Sequence, residues 1–307
     1  MKIHEWDIIS VWKNRKMSDT IDRKILQDQR RRAYKLYPPH GKGNFMKHKK
    51  LFLFDIDGTL AVGDTLYPGS AELLAYIERI GGKAYFITNN STKSGADYVQ
   101  KFQDAFHLKT TEDQFVTSGY MTLRFLKEHY MGRKIFVLGT ASFVCELRKN
   151  GLTVTEDAED GIQCVVAAYD SELTYEKLIR ICKVLLTTDV PFYATNPDLR
   201  CPIDFGFIPD CGAICSMITQ TTGKEPVYLG KPSKEVVELC LSLSGFSREE
   251  TLVVGDRLYT DIACGINGGV DTCVLFTGEA RPEDLTDTPY QPDYAFDTVK
   301  DLVDALL

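Results

Sequence analysis

The chain has 307 residues, of which 44% are hydrophobic and 26% charged, with a formal net charge of -7. That composition belongs to a soluble globular protein of one large or two ordinary domains, with enough apolar content to build a core without staples. No apolar run approaches the ~18 residues of a membrane span, and the amino terminus lacks the apolar segment and cleavage site of a signal peptide, so a cytoplasmic protein is expected.

The nine cysteines are odd in number and scattered, mostly inside apolar runs, which reads as reduced thiols rather than a disulfide framework. Cys211 and Cys215, four apart, have no second Cys or His pair to complete a zinc set. Charge is distributed unevenly. Residues 1–50 hold 14 Lys+Arg against 5 Asp+Glu, leaving 22 against 38 for the rest. The basic head carries no nucleic-acid motif and few aromatic residues, so nucleic acid is not an expected partner. It reads as an appendage, residues 1–48, with an amphipathic helix around 21–34 and breakers at Pro38, Pro39, Gly41 and Gly43. Met46 is a plausible natural start, and deletion of the first 45 residues is expected to leave activity intact.

The next stretch, KKLFLFDIDGTL from Lys49 to Leu60, organises the chain. Leu51 to Phe54 is a continuous apolar tetrad that suits a strand buried on both faces of a parallel sheet. It ends where Asp55 and Asp57 begin, and ligands of open parallel sheets sit beyond such carboxyl ends. A hairpin-sized excursion over residues 60–67 precedes a helix over 71–80 that Gly81 and Gly82 terminate. A strand over 84–87 stops at the polar cluster Thr88-Asn89-Asn90-Ser91-Thr92, which is expected to cap the following helix with its Tyr98, Phe102 and Phe106. A short strand at 114–117 and a helix over 120–129 follow.

From residue 134 the alternation restarts as a second α/β unit, with strands over 135–138, 164–167 and 192–194 and helices over 142–149 and 175–186. Asn196, Pro197 and Asp198 form a turn, and a helix over 212–222 leads back out. The return is read as a strand at 226–229 running into Gly230-Lys231-Pro232-Ser233. A helix to Leu243, a strand over 252–254, the loop Gly255-Asp256-Arg257, a helix from Thr260, a strand over 272–276 and a final strand-helix pair complete the chain. The fold class is therefore α/β, a Rossmann-like parallel sheet core over 49–131 and 225–307 with an inserted α/β cap domain over 132–224.

Parallel strands of one sheet bring their carboxyl ends to one edge, which gathers Asp55, Asp57, Thr88, Lys231, Asp256 and Asp261. Carboxylates meeting there would repel by roughly 4 kcal/mol per pair at about 4 Å and an effective dielectric of about 20. Lysine supplies one compensating charge, and a hard divalent cation with oxygen ligands, Mg2+, the rest. With a hydroxyl and helix-terminal amides nearby, this makes a phosphoryl site in which one aspartate attacks and a second carries a proton.

The segments DIDGTL at 55–60, FITNNS at 86–91, GKPS at 230–233 and GDRLYTDI at 255–262 resemble, in order, the four motifs of the haloacid dehalogenase superfamily of phosphatases. An insertion between the second and third motifs, with ATNPD at 194–198 and GFIPDCGAI at 206–214, is similar to the para-nitrophenyl phosphatase branch with a large α/β cap (class IIA). The resemblance covers residues 49–307. It implies Asp55 as nucleophile, Asp57 as acid/base, Thr88 and Asn89 on the phosphoryl oxygens, Lys231 neutralising the intermediate, and Mg2+ on Asp55, Asp256 and the backbone of Asp57, with Asp261 behind. Gly58, Asn90, Asn196 and Asp198 complete the expected substrate contacts.

The implied reaction is Mg2+-dependent hydrolysis of a small phosphorylated metabolite, a sugar phosphate or similar monoester, by an enzyme whose relatives in some cases dimerise through the cap. No Cys is followed six positions later by Arg, and the five histidines form no metal cluster, so other phosphatase chemistries lack their parts. A phosphomutase of the family would usually carry its cap directly after the first motif. The competing class is a phosphometabolite-binding or regulatory protein without turnover, against which the intact Asp55 and Asp57 argue.

Overall fold

The computed structural model describes residues 46–203 and 205–307. The basic appendage with its expected helix, and all but three residues of 1–48, lie outside the described residues. Two parallel sheets make up the frame. The first has six strands in the order Tyr294–Phe296, Asp271–Leu275, Thr251–Gly255, Leu51–Phe54, Lys83–Thr88, Phe115–Thr117.

Leu51–Phe54 is central, with Phe54 level with Val254 on one side and Phe86 on the other. Side chains of a strand alternate between faces. Phe52 and Phe54 accordingly join one apolar cluster with Leu73, Ile77, Phe102 and Val303, while Leu51 and Leu53 join another with Val237, Cys240 and Cys264. Helices cover both faces, which is why the tetrad is apolar throughout; each fully buried Phe or Leu contributes about 1.5–3 kcal/mol.

The second sheet orders its strands Val227–Tyr228, Phe192–Ala194, Ile162–Ala167, Lys134–Leu138, Thr153–Thr155, again all parallel. Here the structure departs from the sequence reading. The short strand before Lys231 belongs to this sheet, pairing with Tyr193 and Ala194, and two further bonds, Leu229 N–H to Ala194 and Gly230 N–H to Thr195, extend the ladder. The chain leaves the second sheet at Gly230, and the expected core segment from residue 225 begins inside it. The helix Ser118–Tyr130 also leans across, burying Leu123, Leu126 and Tyr130 against Ile135, Val137 and Val166.

Three local features differ in a way that bears on the site. The helix Gly95–Phe106 is capped by Ser94, in a reciprocal capping box with Asp97, which leaves the Thr88–Thr92 cluster free for other work. After the cap turn the chain forms an antiparallel hairpin, Arg200–Ile203 with Gly206–Pro209, that alternation alone does not reveal. The helix expected from Thr260 opens as a π-helical turn, Leu258–Ile262, before Ala263–Gly268. Among the described residues no helix is long and apolar enough to cross a membrane.

Candidate active site

The Asp55 backbone N–H donates to Val254 O at 2.9 Å, one rung past the end of the strand, so Asp55 and Asp256 leave neighbouring strands side by side. Their carboxylates and that of Asp261 converge, with one oxygen from each within 4.8 Å of the others. Two glycines make room for this. Gly58, at φ 96°, would bring a Cβ within 2.7 Å of Asp256 Oδ2, and Gly278 would bring one within 1.9 Å of the same atom. Asp256 is fixed by Thr59 Oγ1, donating at 3.1 Å to Oδ1, and by the Glu279 N–H, donating at 2.7 Å to Oδ2.

Lys231 enters the cluster from the chain leaving the second sheet. Its Nζ donates to Asp55 Oδ1 at 2.5 Å and to Asp261 Oδ1 at 2.6 Å. Asp261 accepts a second bond from the Arg257 N–H at 3.0 Å, so both its oxygens have donors and it stands behind the other two acids. Burial pulls the Lys231 ammonium down, but Asp261 and Asp55 outweigh it and hold the pKa above the ordinary lysine range. Burial, with Asp55 and Asp261 beside it, pushes Asp256 up to about 7, and burial pushes Asp261 up to about 6 despite Lys231. One lysine thus leaves three carboxylates undercompensated. A donor set made only of carboxylate oxygens around excess negative charge fits a hard divalent cation such as Mg2+.

Asp57 is outside that trio. Its side chain is 42% exposed, 3.7 Å from Lys101 Nζ, and the turn beneath it is pinned by Gly58 N–H to Ala61 O and by Thr277 Oγ1 to Gly58 O. Its carboxylate is partly open to solvent beside Lys101. Thr88 ends its strand at the same edge, and its Oγ1 accepts from the Asn90 N–H at 3.2 Å. Asn90 folds its own Oδ1 back onto the N–H and hydroxyl of Thr92, closing the loop.

The side chains of Asn89, Asn196 and Asp198 are all engaged with protein partners. Asn89 Oδ1 accepts from the Lys231 N–H at 2.9 Å, and its Nδ2 donates to Lys231 O at 3.0 Å and to Asp198 Oδ2 at 2.6 Å. Its side chain is occupied, so only its backbone is available to a phosphoryl oxygen. Asn196 and Asp198 are 0% and 1% exposed. Asn196 accepts from Thr195 Oγ1 and donates to Asp198 and Asp210; Asp198 accepts from Asn89, Asn196 and the Arg257 guanidinium. Asn196 is held by residues of the inserted unit, whereas Asp198 ties that unit to the core through Asn89 and Arg257.

Sequence reasoning passed over Arg257, Glu279, Arg200 and Lys101. Arg257 lies inside the GDRLYTDI segment at 255–262, and Glu279 lies just beyond the carboxyl end of a core strand, where a contributor is expected. Arg200 and Lys101 carried no signal.

Comparison with known proteins decides what this arrangement belongs to. The haloacid dehalogenase-like hydrolase family model matches residues 52–153, and a HAD-hydrolase-like model matches 228–302. An acid sugar phosphatase of Staphylococcus epidermidis is 33% identical over 251 residues, 82% of this chain and 95% of that protein. The chain belongs to the haloacid dehalogenase-like hydrolases.

The solved 4-nitrophenylphosphatase of Thermotoga maritima superposes on this haloacid dehalogenase-like chain with a TM-score of 0.79 at 34% identity, covering 86% of this chain and 100% of that one. NagD from E. coli K-12 gives 0.73 at 30% identity, covering 82% and 97%. These likenesses put the chain in the para-nitrophenyl phosphatase-like branch, and the expected core-plus-cap α/β fold is the one these structures share.

Proposed function

We propose that this protein is a Mg2+-dependent phosphatase that hydrolyses small phosphate monoesters, sugar phosphates foremost, through an aspartyl-phosphate on Asp55. The coarse class, a phosphoric monoester hydrolase, is that of its relatives, which are named acid sugar phosphatase and 4-nitrophenylphosphatase. The observation that carries the finer reading is the convergence of Asp55, Asp256 and Asp261 around one buried lysine at the end of the central strand.

The chemistry rests on these residues. A carboxylate oxygen of Asp55 attacks phosphorus in line with the ester oxygen; the P–O bond to the leaving group breaks, and Asp57 gives that oxygen a proton. Asp57 then takes a proton from a water, whose oxygen attacks phosphorus, releasing inorganic phosphate and restoring Asp55. The exposed position of Asp57, held at its backbone by the Gly58 turn, suits a group that must reach the leaving oxygen.

Lys231 stabilises the added negative charge, and the Thr88 hydroxyl with the Asn89 and Asn90 backbone borders the phosphoryl oxygens. Asp55 and Asp256, with the backbone carbonyl of Asp57, would hold Mg2+, and Asp261 would orient Lys231 behind them. When bound, the ion neutralises the carboxylates and the phosphoryl oxygens.

The test is turnover of purified protein on para-nitrophenyl phosphate and a panel of sugar phosphates, phosphoglycolate, nucleoside monophosphates and pyridoxal phosphate, with Mg2+ and with chelator. Mg2+-dependent release of phosphate, with a sugar phosphate among the best substrates, is expected. Full activity in chelator contradicts the metal assignment. Binding of phosphometabolites with no turnover would favour the non-catalytic alternative.

A further inference from the structure

Four side chains of alternating charge span the boundary between the two sheets. Arg200, at the start of the cap hairpin, places Nη2 3.0 Å from Glu279 Oε1. Glu279, after the core strand Asp271–Leu275, places its other oxygen 3.2 Å from Arg257 Nε. Arg257, after the core strand Thr251–Gly255, pairs through Nη1 with Asp198 of the cap turn.

The series runs from half exposed to fully buried, with Arg200 at 48%, Glu279 at 24%, Arg257 at 17% and Asp198 at 2% side-chain exposure. An exposed ion pair is weak and screened by salt, whereas a buried one breaks only at large cost. The Asp198 end, fastened also to Asn89, is the fixed end; the Arg200 end is free to release.

Glu279 is the point at which this series meets the site. Its side chain spans the cap and core arginines while its own N–H donates at 2.7 Å to Asp256 Oδ2. Arg200 is held for this contact by its guanidinium stacking on the Phe207 ring, 4.7 Å from centroid, across the hairpin. We propose that Glu279 is a positioning residue that latches the cap to the core through Arg200, so that seating the cap and holding Asp256 are tasks of one residue. The kinetic part of this rests on the phosphatase reading above; the latch itself does not.

Glu279→Gln keeps the backbone donor and the side-chain size but removes the charge, and Arg200→Ala removes the other half of the exposed pair. Each is expected to raise KM for para-nitrophenyl phosphate by about two- to fivefold with kcat changed less than about twofold, and the double variant is expected to be no worse than Glu279→Gln alone, which also removes the charge facing Arg257. Raising NaCl from about 0.05 M to about 0.5 M should raise KM more in the parent protein than in either variant. Arg200→Lys, which keeps the charge, should recover most of the loss. Additive losses, or a fall in kcat with KM unchanged, would overturn the latch.

Hydrogen exchange over residues 200–209 tests the same contact without turnover. It should quicken in both single variants, and unchanged exchange counts against the proposal. Absence of turnover in the parent protein would sink the phosphatase reading alone, since the exchange result would still decide the latch.

Discussion

Asn89 grips Lys231 on both sides of a single residue, accepting from its N–H at 2.9 Å and donating to its carbonyl at 3.0 Å, in the manner of one rung of a sheet. The Lys231 ammonium is thereby placed from its backbone up, and the two sheets are joined at the same point. Asn89→Ala should lower stability by about 1–3 kcal/mol through the buried groups left unpaired. It should lower kcat by more than the stability loss explains, about ten- to a hundredfold, because the lysine is then free to shift. Thermal unfolding together with steady-state kinetics separates the two effects; a variant as active as the parent despite a lowered Tm would show that the grip does not position Lys231.

Replacing Lys231 by Met retains the aliphatic stem and removes the charge from between Asp55 and Asp261. Asp261 is then a buried carboxylate without its cation, which costs about 3–5 kcal/mol in the metal-free protein. Turnover should fall by about 10²–10³ or more, as for loss of a preorganised charge aimed at the reacting group. Denaturant unfolding in chelator measures the first, para-nitrophenyl phosphate hydrolysis the second. Unchanged stability would contradict the reading of Lys231 as the main internal counter-charge.

The metal-free protein should lose stability as pH rises from about 4 to about 7. Burial and the neighbouring acids hold Asp256 near pKa 7, and burial holds Asp261 near 6, above an ordinary value of 3.8. Across that window the folded state keeps protons that the unfolded chain has released, so the slope of unfolding free energy against pH is negative there. The contribution is fully present below about pH 4 and gone above about pH 7. Mg2+ should accordingly raise Tm more at pH 8 than at pH 5, because a cation binds the deprotonated acids. Thermal unfolding with Mg2+ or chelator at both values reads this, and Asp256→Asn should flatten the slope.

Gly278→Ala tests the packing around Asp256. A Cβ there would lie 1.9 Å from Asp256 Oδ2, so the carboxylate must move although the backbone at 278 needs no left-handed conformation. The concentration of Mg2+ giving half-maximal activity should rise about tenfold or more, the scale seen when groups supporting metal ligands are disturbed. Equal Mg2+ dependence in the variant and the parent would mean that Asp256 is not a ligand.

Much of this was legible from the chain because parallel strands obey simple rules. Leu51 to Phe54 announced a strand covered on both faces, and the residues just past the ends of such strands, Asp55 and Asp256 among them, arrive at one edge. The sheet to which a short apolar segment belongs was not legible. Val227–Tyr228 is two residues long, and its bonds to the 193–195 segment, far off in sequence, assign it to the second sheet. Asn196 and Asp198 carry the same polar groups whether they face a substrate or a buried partner, and the deciding partner, Arg257, is 59 residues from Asp198. Arg200 and Glu279 meet across 79 residues with nothing local to pair them.

The assignment of Asp55 as the attacking group is the central claim, and Asp55→Asn tests it most directly. Asparagine matches the aspartate in size, and Lys231 keeps its bond to Asp261, so the variant should fold with a Tm no lower than that of the parent. Hydrolysis of para-nitrophenyl phosphate in saturating Mg2+ should fall by about 10³-fold or more, because the amide cannot form the acyl phosphate. Turnover within about tenfold of the parent by the same folded variant would contradict the account.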